Sequence, residues 1–294
     1  MRRRIFDPDI NKKVMGIVIG IDVGGSTTKI VGIDGKEIRN PMFVRATDPV
    51  TSLFGAFGKY LYDNDIPLSA IEKVMLTGVG SASINQPLYG LPTAKTDEFL
   101  ANGLGAQYMT QLDKLIVVSM GTGTSFVKVD GTKIEHIGGI GIGGGTVLGL
   151  SRLLLKTQDF HQVVTLALKG SITNINLQIK DICNIPLPGL PLDATASTFG
   201  KADANASQED VALGIIYMVL QCIGQSVILA ALNSDIHDFV LIGNLTKLPQ
   251  CKDIFPRLED MYGGRFHIPD YAEYRTAIGA ALTYINKRNY FNIG

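Results

Sequence analysis

Two short stretches place small residues, hydroxyls and a charge where an anion could be held. The first is Asp22-Val23-Gly24-Gly25-Ser26-Thr27-Thr28-Lys29. Gly24 and Gly25 let backbone come close to a phosphate. Ser26 and Thr27 add hydroxyl donors, and Lys29 can bring a positive charge. Asp22, at the end of an apolar run, can hold Mg2+ directly or through water. The second stretch is Met120-Gly121-Thr122-Gly123-Thr124-Ser125, with the same physics. Neither fits GxxxxGK[ST] or GxGxxG, so neither identifies a nucleotide site by itself. Read as a pair, they could grip a triphosphate from two sides together with Mg2+. Phosphoryl transfer depends chiefly on such positioning and charge neutralisation. Read separately, they are two unrelated hairpins.

A third stretch, IEHIGGIGIGGGTVLGL at residues 134–150, carries Gly138, Gly139, Gly141, Gly143, Gly144 and Gly145. His136, one of four histidines in the chain, stands just before the run. The residues alone leave His136 open between a substrate contact and a strand-end side chain facing water.

These residues need elements to position them. VMGIVIGIDVGG is a β-branched run ending in a glycine turn, which predicts a buried strand. TTKIVGID and GKEIRNPMFVRA continue the pattern, so the chain opens with a β-meander. DPVTSLFGAFGKYLYDND has helical spacing of Leu53, Phe57, Tyr60 and Leu61, with Asp48 or Thr51 as cap. IEKVMLTGVG is a further strand into a glycine loop, and DEFLANGLGAQYMTQL a helix. KLIVVSMGTGTSFVKVDGTKIEH then repeats the opening layout of strand, small-residue loop, strand and DG turn. Helical periods follow in VLGLSRLLLKTQ, FHQVVTLALKG and QEDVALGIIYMVLQCIGQSVILAAL. A proline-containing loop, NIPLPGLPLDATASTFGKADAN, interrupts them. DFVLIGNLTK reads as a strand running into a turn, and YRTAIGAALTYIN as a last helix. The expected organisation is an extension at 1–14, a first lobe at 15–114 and a second at 115–294.

Totals narrow the function classes. At 294 residues, two lobes are the natural expectation. Lys+Arg and Asp+Glu are equal at 27 each, so nothing electrostatic points to nucleic acid or an anionic membrane as partner. Cys183, Cys222 and Cys251 are far apart and odd in number, which argues against a disulfide framework and for a reducing, cytoplasmic setting. MRRRIFDPDINKK lacks the apolar stretch of a signal peptide. The apolar segment VALGIIYMVLQCIGQSVILAAL is interrupted by glycine and glutamine, which fits a buried helix better than a membrane span. No two histidines have metal-ligand spacing.

In their order, GIDVGGSTTKI, LTGVG, DEFLANGLG, VSMGTGTSF, GGIGIGGGTVLGLSRLLL, LPLDATASTFGK, VLIGNL and YRTAIGAALTYI resemble the acetate kinase/sugar kinase/heat-shock 70/actin superfamily. Within it, the chain looks most like the type II pantothenate kinases, over residues 16 to 286. The resemblance implies an α/β fold of two ribonuclease-H-like (actin-like ATPase) lobes, mixed sheets flanked by helices, with nucleotide in the cleft between them. It also implies ATP and Mg2+, pantothenate as acceptor, and a homodimer. The long apolar helices of the second lobe, which carry more apolar surface than one lobe needs, agree with the dimer.

Residue by residue, the resemblance makes Glu98 in KTDEFLANG the general base on the pantothenate hydroxyl. The residues alone allow it equally to be a helix-start glutamate favoured by the dipole, with Asp97 as the cap. Gly24, Gly25, Ser26, Thr27, Lys29, Gly121, Thr122, Gly123 and Thr124 would face the phosphates of ATP. Ser125, His136, Gly138 and Gly139 would face the acceptor. Gly144 and Gly145 match the stretch where a helix start offers unpaired N–H groups to an anion. Gly243, Asn244 and Gly279 match the adenosine side. One departure stands out. His136 occupies the place where the family has an arginine whose fork suits a carboxylate. That leaves pantetheine or another small hydroxyl compound as an alternative acceptor. A nucleotide-dependent regulator of the same superfamily is the alternative from another class, but the chain lacks the cysteine cluster of dehydratase activators.

Overall fold

The computed structural model describes residues 16–291, apart from 26, 46–47 and 186–187. The expected extension at 1–14 and Ser26 lie outside the described residues. Contacts divide the rest into two units. One comprises the described chain up to Ala101 together with the part from Ala277 onward, and the other is Asn102–Thr276. This differs from the expected boundary near residue 115, and it returns most of the last helix to the first unit.

The first unit is built on a five-stranded sheet in the order β3-β2-β1-β4-β5. β1 (Ile17–Val23), β2 (Thr27–Asp34) and β3 (Glu37–Arg45) form the antiparallel meander read from the sequence. β4 (Ile71–Thr77) runs parallel to β1, and β5 (Thr93–Lys95) parallel to β4. One face of the sheet packs on α1 (Pro49–Asp63), which buries Leu53, Ala56, Phe57 and Tyr60. Asp48 caps α1 by accepting the Thr51 N–H at 2.7 Å, and Pro49 sits in the first turn, where no N–H is needed. Tyr60 ties helix to sheet. Its hydroxyl accepts the Gly32 N–H at 2.8 Å and donates to the Arg39 carbonyl at 3.0 Å, beside a bulge in the β2–β3 ladder.

The opposite face explains the return of the last helix, α8 (Arg275–Phe291). A Cβ on Gly20 would lie 1.9 Å from the Ala277 carbonyl oxygen. The backbone of α8 therefore rests directly on β1, more than 250 residues away in sequence. Nothing in the local pattern around Gly20 announces such a contact.

The second unit repeats the topology, with a sheet in the order β12-β11-β6-β7-β8. β6 (Lys114–Met120), β7 (Thr124–Asp130) and β8 (Lys133–Ile140) form its meander. β11 (Asp238–Ile242) and β12 (Arg265–His267) extend it in parallel. Position by position, this is the strand order of the first sheet, so the echo in sequence is an echo in fold. α2 (Glu98–Thr110) leads into this sheet, and α3 (Gly144–Leu154) follows β8.

α4 (Phe160–Ala167), α6 (Gln208–Ala231) and α7 (Cys251–Tyr262) complete the helical layer. α6 begins at Ser207, which accepts the Asp210 N–H at 3.0 Å. It is apolar enough to cross a membrane by composition, but Ile215, Ile216, Val219, Leu220, Ile223 and Val227 are buried in the core of this unit. The proline-containing loop holds a short helix, α5 (Ile179–Ile182), and a two-stranded pair, β9 (Leu177–Gln178) with β10 (Thr195–Ser197).

The Gly20 contact yields a stability prediction. Gly20→Ala should destabilise the protein by about 2–3 kcal/mol, because a methyl group must displace helix backbone. Urea denaturation should show a lower midpoint with an unchanged slope. A midpoint within error of the parent would mean that α8 yields to the methyl without cost.

Candidate active site

In the first unit the charged residues gather at the ends of the strands. Asp22 is paired with Lys29 across β1–β2 and with Thr77 across β1–β4. Residues directly opposite in a ladder share a face, so the three side chains form a row. The Lys29 ammonium lies 3.7 Å from the Asp22 carboxylate, and both are buried. Thr77 is fully buried and donates its hydroxyl to the Thr96 carbonyl at 3.1 Å. Gly78, directly after it, has φ of 84°, and a Cβ there would come within 2.6 Å of Asp22 Oδ1. The LTGVG motif thus forms a bare wall beside the carboxylate.

Glu98 opens α2 from the next loop. Asp97 is its cap, accepting the Leu100 N–H at 2.8 Å, as expected from the sequence. Burial pushes the Glu98 carboxyl up to about 7, and the negative charges of Asp22 and then Asp97 add to the shift, against a smaller pull from Lys29. Asp22 is also raised, by burial first, with Lys29 opposing. A carboxyl that titrates near neutrality can hold or release a proton at working pH.

The β1–β2 loop closes on itself through the Gly24 N–H to the Thr27 carbonyl at 2.9 Å, and Gly25 faces open space. Thr28, fully buried near the start of β2, has a hydroxyl with no partner among the described residues. Among the described residues no three His, Cys, Asp or Glu side chains cluster as a metal cage. Asp22, with Glu98 close enough to feel its charge, fits Mg2+, which takes one or two carboxylates and fills its shell with phosphate oxygens and water.

In the second unit the small-residue loop after β6 is seated on the glycine run. The Gly144 N–H donates to the Gly121 carbonyl at 2.8 Å, and the Gly145 N–H to the Thr122 carbonyl at 2.9 Å. A Cβ on Gly143 would lie 2.6 Å from the Thr122 carbonyl oxygen. The Gly143 N–H reaches the Thr146 hydroxyl at 3.1 Å, and the Thr146 N–H the Gly143 carbonyl at 3.0 Å. The start of α3 therefore does not offer the unpaired donors expected there. Its N–H groups hold the loop.

Among the described residues, no hydrogen bond engages the backbone N–H groups of Thr122 and Gly123. The donors available to an anion are in the loop rather than on the helix. Thr124 is buried and its hydroxyl donates to the Ile142 carbonyl at 2.8 Å, so it braces the loop.

Of the residues expected to face the acceptor, Ser125, His136 and Gly139 come together on one face of β7 and β8, whereas Gly138 pairs with the core residue Phe126. Ser125 pairs with Gly139, and Val127 with His136. All four share a face, with Ser125 and His136 diagonal to one another. A bulge lies between these pairs, and Ile137 is its extra residue. Gly138 takes φ of 145° there, outside the reach of most side chains. His136 is exposed on this strand.

Gly243, after β11, has φ of 96°, and a Cβ would fall 2.4 Å from the Met120 carbonyl oxygen. Its N–H donates to the Ala272 carbonyl at 3.0 Å, and Asn244 begins a partly exposed 3-10 turn. Gly279 is buried in the part of α8 that belongs to the first unit.

A family model described as Fumble matches residues 106–252, half of the chain. The chain is 28% identical over 235 residues to a type II pantothenate kinase of Bacillus cereus (strain G9842), covering 77% of this chain and 83% of that kinase. It is 30% identical over 236 residues to a type II pantothenate kinase of Staphylococcus aureus (strain USA300), covering 77% of this chain and 84% of that one. Among solved structures, the activator of the 2-hydroxyisocaproyl-CoA dehydratase from Clostridium difficile, with bound ADPNP, superposes with a TM-score of 0.69. That match covers 94% of this chain and 97% of the activator at 15% identity, so it speaks to the fold alone. The two ribonuclease-H-like sheets with their flanking helices are thus the actin-like ATPase fold, and by its sequence the chain belongs to the Fumble family of type II pantothenate kinases.

Proposed function

We propose that this protein transfers the terminal phosphoryl group of ATP to the hydroxyl of pantothenate, giving 4'-phosphopantothenate at the first step of coenzyme A synthesis. The observation that carries the reading is Glu98. In a chain of this family, a half-buried carboxyl held near neutrality beside a carboxylate–ammonium pair suits proton removal from an alcohol. The hydroxyl oxygen forms the new O–P bond as the bond to ADP breaks, and its proton passes to the Glu98 carboxylate. Lys29 and the loop N–H groups of Thr122 and Gly123 face the phosphates, together with Gly24, Gly25 and Gly121. Asp22 would hold Mg2+, which when bound would supply charge neutralisation at the phosphate oxygens. Ser125 and His136 orient the acceptor, with Gly138 and Gly139 beside them on β8. Gly243 and Asn244 lie on the adenosine side, with Gly144 and Gly145 bracing the phosphate loop.

Pantetheine remains a second acceptor because of His136, which lacks the bidentate fork that grips a carboxylate. A cytoplasmic homodimer is the assembly we propose. Exposed Leu153, Leu154 and Leu229 on helices of the second unit, with Leu232 just past α6, support a protein partner.

Pantothenate, pantetheine and a sugar panel, screened by ADP release, test the activity. Pantothenate-dependent turnover should fall by about 10²–10⁴-fold in Glu98→Gln. ATP binding without turnover on any acceptor would instead favour a regulatory protein. His136→Arg should lower KM for pantothenate and leave KM for ATP unchanged. An equal or higher KM would mean that the imidazole does not stand in the carboxylate subsite.

Glu98 also makes a prediction about stability. The folded protein keeps its proton up to about pH 7, whereas the unfolded chain releases it near the ordinary glutamate value. Stability is therefore lost as pH rises through that window. Glu98→Gln should be more stable than the parent at pH 8, by up to about 3 kcal/mol, with the gap closing by pH 4. A gap that does not change with pH would show that burial does not hold Glu98 protonated.

A further inference from the structure

Asp22 and Lys29 face each other across β1 and β2 with side chains only 12% and 8% exposed, respectively. Neither charge has enough water to stand alone, so each needs an opposite charge at every stage. At 3.7 Å the contact is an ion pair without a close hydrogen bond. Both backbones are fixed by ladder bonds, so only the ends of the side chains are free to change partners. The Lys29 ammonium rides on a four-carbon stem and can swing, whereas the short Asp22 side chain is bounded on one side by the backbone of Gly78.

We propose that Lys29 and a divalent cation are alternative partners of Asp22. Lys29 occupies the carboxylate while the site is without nucleotide, and it gives way when a cation arrives with a polyphosphate. The inference rests on the kinase reading for the identity of that polyphosphate, but its core concerns Asp22 and the cation alone. A metal–nucleotide complex brings one positive and one negative partner together. Asp22 takes the metal, Lys29 takes a phosphate oxygen, and no buried charge is left unpaired at either end of the exchange. The same geometry makes Lys29 a competitor of a free cation, so the resting site discriminates against metal that arrives without nucleotide. Lys29 is then a positioning residue for the metal as well as a phosphate contact.

The test uses manganese(II) alone, titrated into nucleotide-free full-length protein and followed by the electron paramagnetic resonance signal of the free ion. Lys29→Met removes the competitor and should tighten manganese binding by about tenfold. Lys29→Arg, whose fixed fork grips a carboxylate more firmly, should weaken it. Asp22→Asn should abolish binding with either residue at position 29. Manganese should also raise the melting temperature of Lys29→Met more than that of the parent, because it restores a partner to Asp22.

Equal or weaker binding in a folded Lys29→Met overturns the proposal. So does unchanged or tighter binding in Lys29→Arg, which decides the matter should Lys29→Met not fold. Pantothenate turnover of the parent, measured in parallel, separates the two claims. Normal turnover with unchanged manganese affinity defeats the exchange alone. Absent turnover with the expected opposite shifts defeats the kinase reading and leaves the exchange standing.

Discussion

The burial of an acid beside a base at the end of β1 is the constraint on which the first unit turns. Lys29 stands opposite Asp22 and opposes the upward pull of burial on its carboxyl, and the register of β1 with β2 fixes that opposition. The same charge reaches Glu98 and helps to hold its proton near neutrality. Gly78 must then be bare, because a methyl group would occupy the space of the carboxylate oxygen. Thr77 is carried into the row by the parallel pairing of β4 with β1. One ladder position thus adds to the effect of burial on a carboxyl that sits on a helix further along the chain.

The second unit meets a different demand. Its small-residue loop, Gly121 to Gly123, has no charged side chain to anchor it. The solution is contact between bare backbones. Gly143, Gly144 and Gly145 let the start of α3 come against Gly121 and Thr122, and two hydrogen bonds lock the contact. The helix start is consumed in this bracing. Stiffness in the loop follows from it, and a stiff loop suits stabilisation of charge that develops during reaction.

Much of this was legible in the sequence, and the reasons for the gaps are physical. The meanders, the Asp48 cap, α6 and the doubled strand–loop–strand scheme are local patterns, and local patterns survive in a single chain. The grouping of Asp22 with Lys29 follows from an eight-residue hairpin. The gathering of Ser125, His136 and Gly139 on one face needed the register and the bulge at Ile137, which alternation alone does not reveal. The domain boundary depended on Gly20 meeting Ala277, a contact without a local signature. Glycine runs were the least decisive signal. They announce close approach of backbone but do not say to what, and here much of the approach is between loop and helix rather than between protein and phosphate.

The two hairpins sharpen this by comparison. In each, one residue pair closes the ladder before the loop: Val23 with Thr28, and Met120 with Thr124. One step further in, the first hairpin carries Asp22 opposite Lys29, and the second carries Ser119 opposite Ser125. The duplicated scaffold therefore offers one position twice, once as an ion pair and once as two hydroxyls. An ion pair can trade partners with a metal and a phosphate and so respond to charge. Two hydroxyls cannot, but they give directional hydrogen bonds at no electrostatic cost. Division of labour between charge handling in one unit and orientation in the other thus needs no difference in fold. It needs only these two residue pairs at equivalent places in the ladder.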